Sequence, residues 1–195
     1  MPVGVLAIQG DFEKHLDALA RVGMEGVEVR SPEHLSKVER LILPGGESTT
    51  VGLLLQRYGL GEAIQDAAKR GMPMWGTCMG MILMARSIQG RENQYRLNLL
   101  DIEVARNAFG AQVHSFEDEV EIADLEEPVL GVFIRAPVVT QCGEGVRPLG
   151  QFQGKVVAVR QGALMGTSFH PELTDDTRLH SYFLEIEPTP VDSHG

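Results

Sequence analysis

Cysteine is scarce in this chain: Cys78 and Cys142 are the only two in 195 residues. Two thiols so far apart in sequence make no disulfide framework, and no C-x-x-C pair offers zinc a half-site. The lack of a framework points to a reducing compartment, and the expectation is a cytoplasmic protein. Positive charge is in short supply as well. Seventeen Lys and Arg stand against 27 Asp and Glu, for a formal net charge of −10. With no Lys/Arg-rich stripe, neither nucleic acid nor an anionic membrane surface is expected as a partner. No apolar run approaches the ~20 residues of a membrane span. The apolar stretch 3–8 is too short for a signal-peptide core, has no basic start and runs into Gln9-Gly10-Asp11. No targeting segment is expected.

What is present suits a packed core: 43% of the residues are hydrophobic and 23% charged. The first half alternates strand-like and helix-like segments. Val3–Ile8 reads as a buried parallel strand, and Phe12, Leu16 and Leu19 lie on one face of a helix that Gly23 ends. Strands are expected at 26–30 and 40–43, the latter stopping at Pro44-Gly45-Gly46. Ser48 or Thr49 is placed to cap a helix to Tyr58, and a further helix is expected over 62–70, with Gly71 at its C-terminal cap. A short strand at 74–77 and an apolar helix at 79–87 follow. From Leu99 to Phe169 the pattern turns to strands, at 100–105, 119–122, 129–135, 155–160 and 163–169, before a last helix over 176–186. The acidic run 117–127 reads as a solvated edge strand. This order predicts an α/β fold with a mostly parallel mixed sheet covered on both faces. A single domain over 1–187 and a flexible tail at 188–195 are expected.

The stretch Met74-Trp75-Gly76-Thr77-Cys78-Met79-Gly80 reads strand, G-x-C-x-G, helix, which is the nucleophile-elbow arrangement with cysteine in place of serine. Small residues on both sides let neighbouring backbone pass. A helix N-terminus favours a thiolate, and the Met79 N–H can face a developing oxyanion. A buried, inert cysteine in a methionine-rich core would explain the same residues without chemistry. Cys142, in Thr140-Gln141-Cys142-Gly143, reads as a turn residue of no catalytic interest.

A cysteine nucleophile needs a base, and the base needs an orienting partner. Of six histidines, five (His15, His34, His114, His180 and His194) have no evident partner pattern. His170 ends a strand-like run and is followed by Pro171-Glu172. In an extended His-x-Glu segment the two side chains point the same way, so Glu172 can hold the imidazole. A metal site is not expected, for want of further ligands at suitable spacing. Leu43-Pro44-Gly45-Gly46-Glu47-Ser48 follows a strand and offers bare backbone N–H groups, as the second half of an oxyanion hole would. Arg106 and Arg135 each follow a strand, and either can grip a carboxylate with paired donors or make a plain surface ion pair.

Together G-T-C-M-G and the downstream H-P-E resemble the class I, triad-type glutamine amidotransferases. The further motifs A-I-Q-G-D-F, P-G-G-E-S-T-T, R-N-A-F-G, F-I-R-A-P and S-F-H-P-E-L-T resemble the glutaminase subunits of pyridoxal 5′-phosphate synthase within that family. The resemblance implies a three-layer amidotransferase-like fold and the roles that follow. Cys78 would be the nucleophile, His170 the base and Glu172 the orienting acid. Met79 and Gly46 would form the oxyanion hole. L-glutamine would lie against Gly46, Glu47, Ser48, Arg106, Ile134 and Arg135. Gln9 and Gly10 would lie near a (β/α)8-barrel synthase subunit that receives the ammonia. No metal or organic cofactor is implied. The family usually carries alanine after the cysteine, where this chain has Met79. The triad residues alone fit an amidotransferase of another pathway equally well, and a non-catalytic binding module or a cysteine hydrolase of the same fold are the further alternatives.

Overall fold

The computed structural model describes residues 2–110 and 114–190. Its main sheet runs in the order β2-β1-β3-β4-β12-β11-β9-β6-β5, with β10 paired to β11. These strands are β1 (Val3–Leu6), β2 (Gly26–Val29), β3 (Arg40–Leu43), β4 (Met74–Thr77), β5 (Ala85–Ile88), β6 (Leu100–Ala105), β9 (Val138–Cys142), β10 (Arg147–Phe152), β11 (Lys155–Gln161) and β12 (Leu164–Thr167). A separate antiparallel pair is formed by β7 (Ser115–Val120) and β8 (Val129–Ile134). The β2-β1-β3-β4-β12 half is parallel throughout, whereas β11 pairs with β12 and β9 in the antiparallel sense.

Three layers follow from the side-chain alternation of the parallel strands. Leu41, Leu43 and Met74 join one apolar cluster, while their neighbours Ile42 and Trp75 join the other. Successive strand residues point to opposite faces, so each face needs its own cover. Helices α3 (Ser48–Arg57), α4 (Leu60–Lys69) and α5 (Met79–Met84) cover the first through Leu55, Ile64 and Leu83. On the other side, α1 (Phe12–Arg21) and α6 (Arg178–Leu184) contribute Leu19 and Phe183. Helix α2 (Pro32–Leu35) is a single turn. Among the described residues no helix is long and apolar enough to cross a membrane.

Helices α1 and α4 stop where glycine was expected to stop them. Gly23 and Gly71 take φ values of 76° and 100° just past the last turns, and their amides donate to Ala20 and Ala68 carbonyls. Other expectations need correction. The helix over 79–87 ends at Met84, and Ala85–Ile88 pairs with β6 as a strand. Continuous burial of residues 79–85 hid that change of period, since an unbroken apolar run fits either state. Cys142 lies in strand β9 and not in a turn. The acidic strand spans 115–120, earlier than expected, and pairs only with β8. The last helix is shorter than its apolar pattern, at 178–184. Thr189 N–H donates to the Gly71 carbonyl, and positions 191–195 of the expected tail lie outside the described residues.

The parallel half decides where chemistry can occur. Strands β1, β3, β4 and β12 are neighbours pointing the same way, so their C-terminal ends share one edge of the sheet. The segments leaving that edge carry Gln9-Gly10, Gly45-Gly46, Cys78 and His170. Ligands of open α/β sheets bind outside the carboxyl ends of the strands.

Candidate active site

Cys78 sits between β4 and α5 at φ 53°, ψ −108°. A non-glycine residue in such a conformation costs ~1–3 kcal/mol and persists only where its surroundings over-determine it. Here they do. The Cys78 N–H donates to the Thr167 carbonyl of β12 at 2.8 Å, and its own carbonyl accepts from Met81 and Ile82 at the start of α5. The flanking glycines are required sterically. A Cβ on Gly80 would lie 1.9 Å from the Leu43 carbonyl oxygen, and one on Gly76 would lie 2.5 Å from the Gly80 carbonyl carbon. Met79 opens α5, where a helix leaves its first amides without an internal partner. Its side chain is buried and lies close to Gly46.

His170 is anchored by its N–H, which donates to the Val132 carbonyl of β8 at 2.9 Å. Its Nδ1 lies 2.6 Å from Glu172 Oε1. The expected pair is therefore formed, but not along an extended segment: Pro171–Leu173 is a turn of 3-10 helix that swings Glu172 back beneath the ring. Burial works against a charged imidazole here. The hydrogen bonds to Cys78 and Glu172, together with the Glu172 charge, outweigh it and push His170 up to about 10. The ring thus holds a proton more tightly than an ordinary histidine, and it stands beside Cys78 in the same cleft.

A cleft of about 340 Å³ opens over these residues. Cys78, Met79, His170, Gly46, Glu47, Ser48, Arg106, Ile134, Arg135 and Gly10 all line it, and Asp11, Ile82 and Asn107 complete the wall. Glu172 lies behind His170 and is 2% exposed. A larger groove, of about 570 Å³, runs along 121–128 and 148–151. It holds acids but no nucleophile, so size does not mark the site. Asp11, His170 and Glu172 bring one potential metal-ligand atom each within 4.8 Å of one another. The two buried members already bond each other, and Asp11 is exposed.

The loop after β3 is built differently from expectation. Glu47, not Ser48 or Thr49, caps α3, accepting from the Thr49 and Thr50 amides at 3.0 and 2.8 Å. Burial resists its charge, but these bonds and the Thr50 hydroxyl hold the carboxyl down at about 2. Ser48 is buried, and its hydroxyl accepts from Gln94 Nε2 at 2.7 Å. Gln94 in turn accepts from Arg106 Nη1 at 3.0 Å, while Arg106 Nη2 stands 3.7 Å from Glu47. Sequence reasoning missed Gln94, which lies in an irregular polar stretch with no periodic signal. Gly45 was likewise undervalued beside Gly46. A Cβ there would come 2.6 Å from His170 Cε1, so the imidazole needs a glycine against its edge. Gln9 accepts from the Glu47 N–H through Oε1 at 2.8 Å.

A family model for SNO glutamine amidotransferases matches residues 5–187. The chain belongs to the SNO glutamine amidotransferase family. Among similar members, the pyridoxal 5′-phosphate synthase subunit PdxT of Roseiflexus sp. (strain RS-1) is 52% identical over 95% of this chain and 100% of its own length. The PdxT of Herpetosiphon aurantiacus is 54% identical over the same shares. A crystal structure titled glutamine amidotransferase superposes with a TM-score of 0.92 at 50% identity, covering 95% of this chain and 98% of the other.

In this family member two further histidines lie directly behind the site. His15 of α1 and His180 of α6 are both fully buried, with His15 Nδ1 2.9 Å from His180 Nε2. The sequence carried a signal for each. His15 follows Phe12 by three residues and precedes Leu19 by four, and His180 precedes Phe183 by three, so both fall on apolar helix faces. Burial, then the charges of His180 and His170, keeps His15 well below the ordinary histidine range. Burial, then Arg21, lowers His180 to about 4. A histidine depressed in the folded state takes up its proton first on unfolding, so stability falls as pH drops from about 6.5 toward 4. The expected slope is about 1 kcal/mol per pH unit for each such group. Thermal unfolding between pH 7 and 5 checks this, and a flat midpoint across that window would contradict it.

Proposed function

We propose that the chain hydrolyses L-glutamine to glutamate and ammonia and delivers the ammonia to a (β/α)8-barrel subunit of pyridoxal 5′-phosphate synthase in the cytoplasm. The observation that carries this reading is the position of His170. It bonds Glu172 at 2.6 Å on one side and faces the same cleft as Cys78 on the other, with both side chains against the bare backbone of Gly45. In this reading residues 1–187 act as one amidotransferase domain, and Gln9 and Gly10 at the rim face the synthase.

The geometry supports an ordered sequence of steps. Cys78 Sγ gives its proton to His170 and attacks the side-chain amide carbon of glutamine, and the carbonyl electron pair moves to oxygen. The Met79 and Gly46 N–H groups stabilise that oxyanion, each worth about 3 kcal/mol in comparable sites. His170 gives its proton to the amide nitrogen as the C–N bond breaks, releasing ammonia and leaving a γ-glutamyl thioester. Water, losing a proton to His170, then attacks the thioester carbon, and His170 returns that proton to the departing sulfur, which frees glutamate and the thiol. Arg106, held by Gln94 and Glu47, lines the cleft where it can pair with the α-carboxylate of glutamine, and Arg135 lines the same cleft. Glu47, Ser48 and Ile134 shape the rest of the pocket. The residues need no metal or organic cofactor for these steps.

The test is release of glutamate and ammonia from glutamine by the full chain, alone and with the synthase subunit. Release that appears or rises strongly with the partner is expected. No release in either condition, with binding of the partner demonstrated, would overturn the proposal in favour of a non-catalytic module.

A further inference from the structure

Behind the Cys78–His170–Glu172 line lies a set of buried polar groups that the hydrolytic steps do not use. Glu172 Oε1 is taken by His170, but Oε2 is fully buried and has no well-formed hydrogen bond among the described residues. A carboxylate oxygen without a donor in such a place is costly. The group facing it is His15 Nε2, at 3.4 Å. His15 Nε2 also lies 3.3 Å from Thr77 Oγ1, and its Nδ1 lies 2.9 Å from His180 Nε2.

The two tautomers of His15 are not equivalent here. With the proton on Nδ1, His15 donates to His180, and its bare Nε2 turns a lone pair toward the Glu172 oxygen. That arrangement is repulsive and leaves Oε2 with nothing. With the proton on Nε2, His15 donates toward Glu172 and Thr77, and its bare Nδ1 accepts from a His180 Nε2–H. His180 Nδ1 is then the bare nitrogen, and it is the atom found buried without a hydrogen bond. A lone pair left in an aromatic layer against Trp75 costs less than a stranded N–H or a stranded carboxylate oxygen. In the second arrangement both ring N–H groups of the line have an acceptor, and the bonds run in one direction, from His180 to His15 to Glu172.

We propose that His15, oriented by His180, is a positioning residue that holds the second oxygen of Glu172 and through it fixes the tautomer and direction of His170. The depressed proton affinities of both histidines fit this role, because a charged His15 would bring a second cation beside His170. The relay is assembled from α1, the turn after β12 and α6, with Thr77 of β4 alongside. Its charged neighbours are His170 and, on the His180 side, Arg21. The inference rests on the hydrolytic reading of His170.

The experiment compares wild type, His15→Leu, His15→Gln and His180→Phe as full chains with the synthase subunit present. It measures kcat and KM for glutamine, thermal midpoint, and the low-field proton resonance of the His170 Nδ1–H bonded to Glu172. In His15→Leu, kcat is expected to fall about tenfold to a hundredfold, as for other residues that orient a catalytic ligand, with KM little changed. The resonance should broaden or vanish. His15→Gln, whose amide can donate to Oε2, should recover most of both. His180→Phe keeps an aromatic ring beside Trp75 but loses the donor, and should move both readouts as His15→Leu does. Wild-type kcat and an intact resonance in His15→Leu and His180→Phe would overturn the relay. So would equal losses in His15→Leu and His15→Gln that track the thermal midpoint while the resonance persists. If the wild type releases no glutamate, the proposed activity fails, and the resonance, which needs no turnover, still decides the relay.

Discussion

Glutamine hydrolysis in Cys78→Ala should fall to the background rate, while the chain stays folded. A loss on the order of 10⁴-fold to 10⁶-fold in kcat is the scale seen when a nucleophile is removed from a triad. The structural side of the expectation is as definite. Alanine has a Cβ, so the backbone at φ 53° is no more strained than with cysteine, and only one sulfur is lost from a position that is 9% exposed. The bonds that hold the elbow, from Cys78 N–H to Thr167 and from Met81 and Ile82 to the Cys78 carbonyl, are all main-chain. Glutamate release measured beside the thermal midpoint checks both halves. Cys142→Ala, in exposed positions of β9, is the control and should leave turnover unchanged. Turnover retained in Cys78→Ala would sink the assignment of the nucleophile.

The second large effect is on stability. Gly80→Ala should lower the thermal midpoint by about 10 °C, corresponding to about 3–4 kcal/mol in a chain of this size. The added methyl would come 1.9 Å from the Leu43 carbonyl oxygen and 2.7 Å from its carbon. These are backbone atoms of β3, and β3 is paired on both sides, to β1 and β4. Relief requires α5 to lift off the sheet, which opens the packing of Leu83 and Met81 and moves Cys78 as well. Activity should therefore fall together with stability. Calorimetry of the variant beside wild type decides it, and an unchanged midpoint would show that α5 can move away from β3 at little cost.

Much of the parallel half was legible in the residues themselves. Short apolar runs ended by glycine or by a capping residue were enough to place β1, β3 and β4, because a strand buried on both faces has little choice of side chain. The antiparallel half was harder to read. Strand β9 carries Thr140, Gln141 and Cys142 at exposed positions, and β10 contains Pro148 and a register shift at Gly150. Both resemble loops to any reading based on apolar periodicity. Helix α5 and strand β5 merged into one element because every residue from Met79 to Ala85 is buried.

The same division holds for the site. The local residues made the elbow at Cys78, the Gly45-Gly46 turn and the pairing of His170 with Glu172 legible, although that pair forms through a turn of 3-10 helix and not the extended segment expected. Each of these depends on residues two or three apart, where backbone geometry permits few outcomes. Only the tertiary structure decided what surrounds them. Gln94 bridging Ser48 to Arg106, Gly45 against the edge of His170, and His15 with His180 behind Glu172 join segments separated by up to 165 positions. Such contacts are set by which strands are neighbours in the sheet and by which helix faces turn inward. A buried polar side chain on an apolar helix face shows in the sequence only as an interruption of the pattern, and its purpose becomes visible once packing brings it a partner.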